Sequence, residues 1–219
     1  MTIIYPLSIP SILKPASAEF GGRDAIGMTQ SPFSFAQEIQ DWGGDMWTAK
    51  LSWPMIASRA NGAPFTALLA ALRGRFATVL LGDPLGATPR GAMNTTPGTP
   101  VVNGTHPAGF RTLALRGTPL AGGLGGLPAG TVWISAGDYI QVGAGAGSRL
   151  HMALLDVPVA INGQITLDIW PSLRTSLNDG TPILLKNCVG TFRLSANDRK
   201  WTESKFFRYG IELDFIEAI

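Results

Sequence analysis

The sequence predicts a mainly β protein, made of antiparallel sandwich-like or barrel-like domains with one short helix. Residues 137–174 hold three runs rich in Val, Ile, Leu and Tyr, and turn residues separate these runs. In the last run Ile165, Leu167 and Ile169 alternate with polar residues, which is the pattern of a strand with one buried face. By contrast, a single stretch, residues 61–75, has the three- and four-residue spacing of apolar positions that favours a helix.

The N-terminal part predicts a strand over residues 2–11 and a glycine-rich loop over residues 20–29. Residues 34–40 and 46–53 predict a hairpin, because the Asp-Trp-Gly-Gly-Asp run at 41–45 between them is rich in turn-forming residues. We therefore expect the chain to reverse direction at 41–45.

The helix predicted within residues 61–75 has Pro64 in its first turn, where a missing amide leaves no hydrogen bond unmade, and it ends at Gly74. A short strand is predicted at 76–81. The composition then changes at residues 83–84, Asp-Pro, which marks a candidate domain boundary.

Residues 87–130 are rich in Gly, Pro, Thr and Ala, with one alternating strand predicted at 110–116. Such a composition predicts a long loop or an extended arm that becomes ordered only against neighbouring subunits. The AGGLGG run at 121–126 is not a phosphate-binding loop, because no Gly-Lys-Ser/Thr follows it.

The C-terminal third continues the β pattern. Asn162-Gly163 favours a tight hairpin turn within an antiparallel meander. Short strands are predicted at 182–185 and 191–194. Residues 206–216 form the clearest long alternating run, and a segment so apolar is expected to lie in the middle of a sheet.

The composition restricts the classes of function. Only 15% of the residues are charged, and the net charge of +2 comes from scattered Lys and Arg, which argues against sequence-specific nucleic-acid binding. No apolar run is long enough for a membrane helix, and the first ten residues do not resemble a signal peptide. The single cysteine, Cys188, is expected to be a buried apolar residue in a protein made in a reducing cytoplasm.

The residues that commonly carry catalysis do not form a recognisable constellation. His106 and His151 have no other His or Cys at metal-ligand spacing. Asp138, Asp156 and Asp168 are candidates for a glycan-cleaving carboxylate set, but their positions at strand ends and on a solvent face favour structural roles. We therefore expect no enzymatic activity, no metal and no cofactor.

Three tryptophans lie within or beside the predicted hairpin: Trp42, Trp47 and Trp53. Such a cluster is typical either of a stacking platform for sugars or of an interface between proteins. Since no accompanying polar groups are identifiable, we interpret the three residues as interface candidates.

Several short motifs resemble, in their order and spacing, a family of viral structural proteins. They are the strand 46–53, AALRG at 70–74, LLGDP at 80–84, AGDYIQV at 136–142, RLH at 149–151, IWPSLR at 169–174, FRL at 192–194 and FIEA at 215–218. In this set the chain resembles tail structural proteins of bacteriophages with long, flexible tails, particularly the distal tail proteins of the tail tip.

The resemblance implies a non-enzymatic virion component, assembled in the host cytoplasm and located in the tail. It implies a ring of identical subunits, a homohexamer, that links the tail tube protein to the tail-tip hub protein. It also implies a belt-like β domain over residues 1–84, completed by 191–219, with residues 85–190 as a second, inserted β domain. The alternatives are another tube or baseplate hub subunit, a carbohydrate-binding module used in host attachment, and a glycan-cleaving enzyme.

Overall fold

A computed structural model describes residues 3–122, 126–204 and 208–219, and it confirms the mainly β fold. The α-helix of these residues is α1 (Arg59–Leu72). Their strands are β1 (Leu7–Ser8), β2 (Ser17–Gln30), β3 (Gln37–Ala57), β4 (Val79–Leu81), β5 (Val101–Val102), β6 (Thr112–Arg116), β7 (Val132–Ile134), β8 (Tyr139–Val142), β9 (Arg149–Ala153), β10 (Val157–Pro158), β11 (Gln164–Trp170), β12 (Ile183–Leu184), β13 (Gly190–Leu194), β14 (Thr202–Glu203) and β15 (Arg208–Glu217).

The larger sheet has seven strands in the order β1-β4-β13-β15-β3-β2, with β14 added alongside β15. The β1–β4 pair is parallel and the other pairs are antiparallel. β15 lies between β13 and β3, and its alternate residues Tyr209, Ile211, Leu213 and Phe215 are buried. This confirms the central position predicted for the final strand, although Phe206 and Phe207, part of that prediction, lie outside the described residues.

Helix α1 covers one face of this sheet through Phe65, Leu68, Leu69 and Leu72. The ring of Phe65 packs against that of Trp53 with centroids 5.0 Å apart. The helix approaches the sheet closely and presents Gly62, where an added Cβ would lie 2.4 Å from the ring of Tyr209. The sheet's core therefore requires both the aromatic residues and this glycine.

The smaller unit is a six-stranded barrel in the order β12-β8-β9-β11-β6-β5. The barrel closes where the amide of Val102 donates to the Thr181 carbonyl at 2.9 Å and the amide of Gly180 donates to the Val102 carbonyl at 2.9 Å. The separate ladder of β7 and β10 contributes Trp133 and Ile134 to the barrel's core. Alternating inward residues fill the interior, as in other small barrels.

The sheet is built from residues 7–81 and 190–217, and the barrel from residues 101–184. Each has its own core, but the two are in contact, because Leu150 of β9 is buried in the core of the sheet. The side chains of Met152 and Trp170 pack against the same core. The division into a belt domain and an inserted domain stays a prediction.

The predicted hairpin with its turn at 41–45 is wrong. β3 runs without interruption through these residues, its partner is β2, and the chain reverses at 31–36 instead. The glycines are accommodated as a bulge, because Asp24 pairs with Asp45 and Ile26 with Asp41, so that one residue of β2 faces three of β3. The residues predicted as the loop 20–29 belong to the partner strand.

The prediction of an arm or disordered loop at 87–130 is also wrong for the residues that the structure describes, which exclude 123–125. Met93, Val102, Leu113 and Leu115 are fully buried in the barrel. Although apolar residues are sparse in this segment, these four occupy core positions, and the Gly and Pro residues between them form the connections.

Three element boundaries also differ from the predictions. The helix begins at Arg59, so Pro64 lies in its second turn. The predicted strand at 2–11 is limited to Leu7–Ser8 within the described residues. Within the predicted meander, the run at 149–159 is divided into β9 and β10, and β10 pairs with β7.

We predict that Leu72→Ala lowers the free energy of unfolding by about 2–5 kcal/mol, because Leu72 is completely buried beneath the helix and its truncation leaves a cavity. Urea denaturation followed by circular dichroism measures this loss. The matched control is Leu85→Ala, which removes the same atoms from a side chain that is 93% exposed and should change the free energy by less than about 0.5 kcal/mol. Equal losses in the two variants would contradict the assignment of the core.

Candidate functional site

Residues 24–44 of the β2–β3 hairpin, here called the hairpin arm, are exposed on both faces. Between residues 26 and 40, the hydrogen bonds found in the described part of the chain stay within the hairpin. The arm nevertheless carries six large apolar side chains that are exposed: Ile26, Met28, Phe33, Phe35, Ile39 and Trp42. A bare two-stranded ribbon with this surface is typical of a segment that a partner covers.

The apolar residues lie on both faces of the ribbon. Met28 pairs directly with Ile39, and Ile26 lies beside them on the same face. On the opposite face the ring of Trp42 lies over Gly27, where an added Cβ would be 2.5 Å from the indole. Gly27 therefore provides the space for an aromatic ring that is itself 67% exposed.

The tip of the hairpin arm presents two aromatic rings to solvent. Phe33 is 95% exposed and Phe35 is 73% exposed. The hydroxyl of Ser31 accepts hydrogen bonds from the amides of Phe33 and Ser34, both at 3.4 Å, and this organises the turn. Phe35 has a φ of 56°, a left-handed conformation that is unfavourable for a bulky residue. The conformation therefore disfavours an aromatic at this position, and packing within the subunit does not account for the residue either.

The charges of the hairpin arm have a single sign. Its charged residues are Asp24, Glu38 and Asp41, and no Lys or Arg occurs between Asp24 and Ala49. A surface that is both apolar and acidic favours a partner that is apolar and basic.

The base of the hairpin arm rests on the barrel. The ring of Trp170 occupies the space that a side chain at Gly22 would need, and its indole N–H donates to a carboxylate oxygen of Asp24 at 3.3 Å. Arg111 lies 4.0 Å from the carboxylate of Asp41 and 3.6 Å from that of Asp45. The arm is thus attached at its root and free toward its tip.

A buried polar cluster, here called the anchor cluster, lies directly below this root and consists of Asp45, His151, Ser172, Arg174 and Glu217. The guanidinium of Arg174 contacts a carboxylate oxygen of Asp45 at 2.8 Å and one of Glu217 at 2.6 Å, and it also donates to the backbone carbonyl of Asp45 at 2.5 Å. Both carboxylates are almost fully buried. The cluster joins β3, the segment after β11 and the end of β15.

Further hydrogen bonds satisfy the remaining groups of the anchor cluster. The backbone amide and the hydroxyl of Ser172 donate to the carboxylate of Asp45 at 3.0 and 2.8 Å. The backbone amide of Trp47 donates to Glu217 at 3.1 Å. Nδ1 of His151 lies 2.8 Å from the Pro171 carbonyl, which can only accept, so this nitrogen carries the proton.

Burial and hydrogen bonding set the ionisation of the cluster. Burial opposes the charge of Asp45, but the hydrogen bonds from Ser172 and Arg174 outweigh it, so the pKa of Asp45 lies below its ordinary value. Burial also opposes the charge of Arg174, and the bonds to Glu217 and Asp45 raise its pKa above the ordinary value. Burial lowers the pKa of His151 to about 4, so this imidazole is neutral at pH 7.

The structure separates the three tryptophans proposed as interface candidates. Trp47 and Trp53 are each 3% exposed and lie in the core of the sheet. The indole N–H of Trp47 donates to the carbonyl of Leu150 at 2.8 Å, across the boundary with the barrel. These two residues are therefore not on the surface of the subunit, because β3 turns this face toward α1 and the barrel. Trp42, on the hairpin arm, remains an interface candidate.

The candidate catalytic aspartates do not line a common cleft. The carboxylate of Asp138 is buried and accepts hydrogen bonds from the amides of Arg90, Gly91 and Ser135, at 2.8–3.0 Å. Asp156 accepts from the amide of Ala136 at 2.7 Å.

Asp168, the third of these aspartates, is exposed on β11. The ring nitrogen Nε2 of His106 accepts a bond from the amide of Ala114 at 3.3 Å. The side chains of Asp138, Asp156 and His106 thus accept hydrogen bonds from backbone amides of the same chain.

Cys188 is buried, as predicted, and burial raises the pKa of its thiol to about 12.

Within residues 3–122, 126–204 and 208–219, no three His, Cys, Asp or Glu side chains are grouped so as to hold a metal ion. No helix of those ranges combines the length and the apolarity that crossing a bilayer requires.

Sequence reasoning missed the anchor cluster and the aromatic tip. Asp45 and Arg174 are 129 residues apart, and no periodic pattern links them. Phe33 and Phe35 alternate with Ser34, which is typical of a half-buried strand rather than a tip.

Neither a scan of protein-family models nor a search of curated proteins returns a match for this chain.

We predict that Arg174→Met lowers the free energy of unfolding by about 3–5 kcal/mol, because the buried carboxylates of Asp45 and Glu217 then lose the positive charge that they share. The control is Arg116→Met, which removes the same group from an ion pair with Asp179 that is about half exposed, and should cost less than about 1 kcal/mol. Urea denaturation at pH 7 compares the two. A loss for Arg174→Met no larger than that of the control would show that the anchor cluster contributes little.

We predict that acid destabilises the protein partly through His151. The unfolded imidazole takes up a proton near its ordinary pKa of 6.5, whereas the folded one stays neutral down to about pH 4, so stability is lost as the pH falls through this window. The difference corresponds to on the order of 3 kcal/mol. His151→Asn retains a donor for Pro171 and should remove this part of the loss between urea midpoints at pH 6.5 and 4.5. The loss should persist in His106→Asn, and an unchanged loss in His151→Asn would contradict the prediction.

Proposed function

We propose that this chain is a non-enzymatic structural subunit of a bacteriophage tail, which forms a ring at the distal end of the tail and links the tail tube to the tail-tip hub. The motifs from residue 46 to residue 218 that resemble distal tail proteins support this proposal. In this role the subunit acts by contact alone, with the tube protein on one side of the ring and the hub protein on the other.

The observation that carries the proposal is the hairpin arm. Its six exposed apolar side chains are held on a two-stranded ribbon whose root is fixed by buried ion pairs. In an isolated subunit, the ordered root would hold the apolar tip in water, where its exposed side chains make no stabilising contact. An assembly subunit requires both features, because a fixed root defines where the neighbour is held.

The use of the polar groups supports a structural role as well. Asp138, Asp156, His106 and His151 each bind backbone groups of the same chain. A general acid or base must instead reach a substrate from an accessible cleft. Two of the three candidate catalytic aspartates and both histidines therefore have partners that stabilise the fold, and the third aspartate, Asp168, is exposed on β11.

The rival proposal of a carbohydrate-binding module depended on a platform formed by Trp42, Trp47 and Trp53. A sugar-stacking platform needs several exposed aromatic faces close together. With Trp47 and Trp53 in the core, Trp42 is the member of that set that remains accessible. The proposal of a structural subunit therefore has the stronger support.

We predict that the purified chain assembles into closed rings with six times the 23.2 kDa subunit mass. Native mass spectrometry gives the stoichiometry, and negative-stain electron microscopy shows whether the particle is closed. Closed symmetry is expected because a repeated head-to-tail contact either closes or continues as a filament. A chain that remains monomeric over the whole accessible concentration range, in both measurements, would contradict the proposal.

A further inference from the structure

The two edges of the seven-stranded sheet carry different surfaces. β2, with the hairpin arm, is at one edge, and the short strand β1 is at the other. Around β1 the exposed residues include Ile3, Ile4 and Phe76, of which Ile4 is 82% and Phe76 is 70% exposed. We call the group Ile3, Ile4, Arg73 and Phe76 the edge patch.

The pairing of β1 with β4 brings the edge patch together. The two strands are parallel and Leu7 pairs with Val79, so the residues before Leu7 run beside those before Val79. The ring of Tyr5 meets that of Phe76 edge-on, with centroids 6.3 Å apart, and its hydroxyl donates to the Ala71 carbonyl at 2.8 Å. These contacts hold an apolar surface directly beside the C-terminal end of α1.

The charge of the edge patch is opposite to that of the hairpin arm. Between Asp45 and Asp83 the sequence contains Lys and Arg but no Asp or Glu, and no acid occurs before Glu19 either. Arg73 is exposed at the end of α1, whereas the guanidinium of Arg75 donates to the Ser195 carbonyl, in a trough that also contains Glu19 and Asp214. The two opposite edges of one sheet therefore show complementary charge as well as exposed apolar side chains.

We infer that the hairpin arm of one subunit binds the edge patch of the next copy of the same chain. The aromatic tip then packs on Ile4 and Phe76, and the carboxylate of Glu38 faces the guanidinium of Arg73. This inference rests on the proposed ring and identifies its contact. The two surfaces differ and lie on opposite sides of the subunit, which makes the contact heterologous and suited to repetition around an axis.

The dimensions fit this contact. The six residues of β2 beyond Asp24 extend about 20 Å at ~3.3 Å per residue, and the five spacings from one edge strand to the other span about 24 Å at ~4.8 Å each. The arm is therefore about as long as the sheet is wide. Its three aromatic rings expose on the order of 400 Å² of apolar surface, which is about half of the ~800 Å² that each partner buries in a standard interface.

Other exposed surfaces of the described chain offer less. Leu85 and Ile161 are exposed apolar residues on separate connections, without basic neighbours in sequence. A surface trough that includes Lys200 and Arg208 also contains Asp198, Glu212 and Asp214, so its charge does not complement an acidic arm.

Charge reversal tests the contact in the full-length chain. Glu38→Arg or Arg73→Glu should weaken ring formation about tenfold or more, because like charges then meet across the interface. The double variant Glu38→Arg/Arg73→Glu should recover assembly close to that of the wild type. Sedimentation velocity over a concentration series measures the midpoint of ring dissociation, and circular dichroism verifies folding. Asp168→Arg, a reversal on the exposed face of the barrel strand β11, should leave the midpoint unchanged.

Cross-linking tests the same contact without changing its charge. The double variant Phe33→Cys/Ile4→Cys, treated with a short bismaleimide, should give a ladder of covalent oligomers up to the full ring. Cys188 does not interfere, because it is buried and its thiol pKa is raised to about 12. Ile161→Cys/Ile4→Cys is the control pair and should give no ladder.

The outcomes separate the two hypotheses. If the wild type forms rings but the Phe33/Ile4 pair gives no ladder, or the double charge reversal does not recover assembly, then the docking inference is wrong and the proposed ring remains. If the wild type forms no ring, the proposed function itself is wrong, and the docking inference fails with it.

Discussion

The guanidinium of Arg174 binds two carboxylates that are shut away from water, and the relative placement of three distant segments depends on it. Asp45 belongs to the long strand of the hairpin, Glu217 to the end of the central strand, and Arg174 to the chain that leaves the barrel. A buried ion pair contributes little net stability compared with apolar packing, but its loss is costly because the remaining charges have no partner. Its effect here is to define one arrangement of sheet, barrel and hairpin.

The exposed part of the molecule follows from this buried part. The anchor cluster fixes β3 at Asp45, and Trp170 and Arg111 hold the next residues of the hairpin against the barrel. Beyond them, the hydrogen bonds found in the described residues stay within the hairpin, and the surface there is mainly apolar, with Glu38 as its acidic residue. A rigid root with a bare tip differs from a flexible loop, because it limits the directions in which a neighbour can be bound. In a ring, such a limit fixes the angle between successive subunits.

The parts of this structure that the sequence predicted are those that depend on local patterns. The alternation from Tyr209 to Phe215 predicted a central strand, and alternation at Trp47, Ala49, Leu51 and Trp53 correctly indicated one face of a strand, although this face is buried and does not offer Trp47 and Trp53 to an interface. The Asp-Trp-Gly-Gly-Asp run was misleading, because a bulge and a reverse turn require the same glycine conformations and only the partner strand distinguishes them. The anchor cluster lay beyond sequence reasoning for another reason: its members come together only when the sheet and the barrel are complete.

The position of Glu217 has a consequence for the order of events during synthesis. Its bond to the amide of Trp47 connects residues 170 positions apart, and β15, which carries it, fills the gap between β3 and β13. While the ribosome is still adding the intervening residues, Asp45 and Arg174 have no second carboxylate to complete their cluster, and β3 lacks one of its neighbouring strands. Contacts of such long range form late and slowly. Before residue 217 has been made, the root of the hairpin therefore lacks the contacts with Glu217 and β15 that fix it in the folded chain.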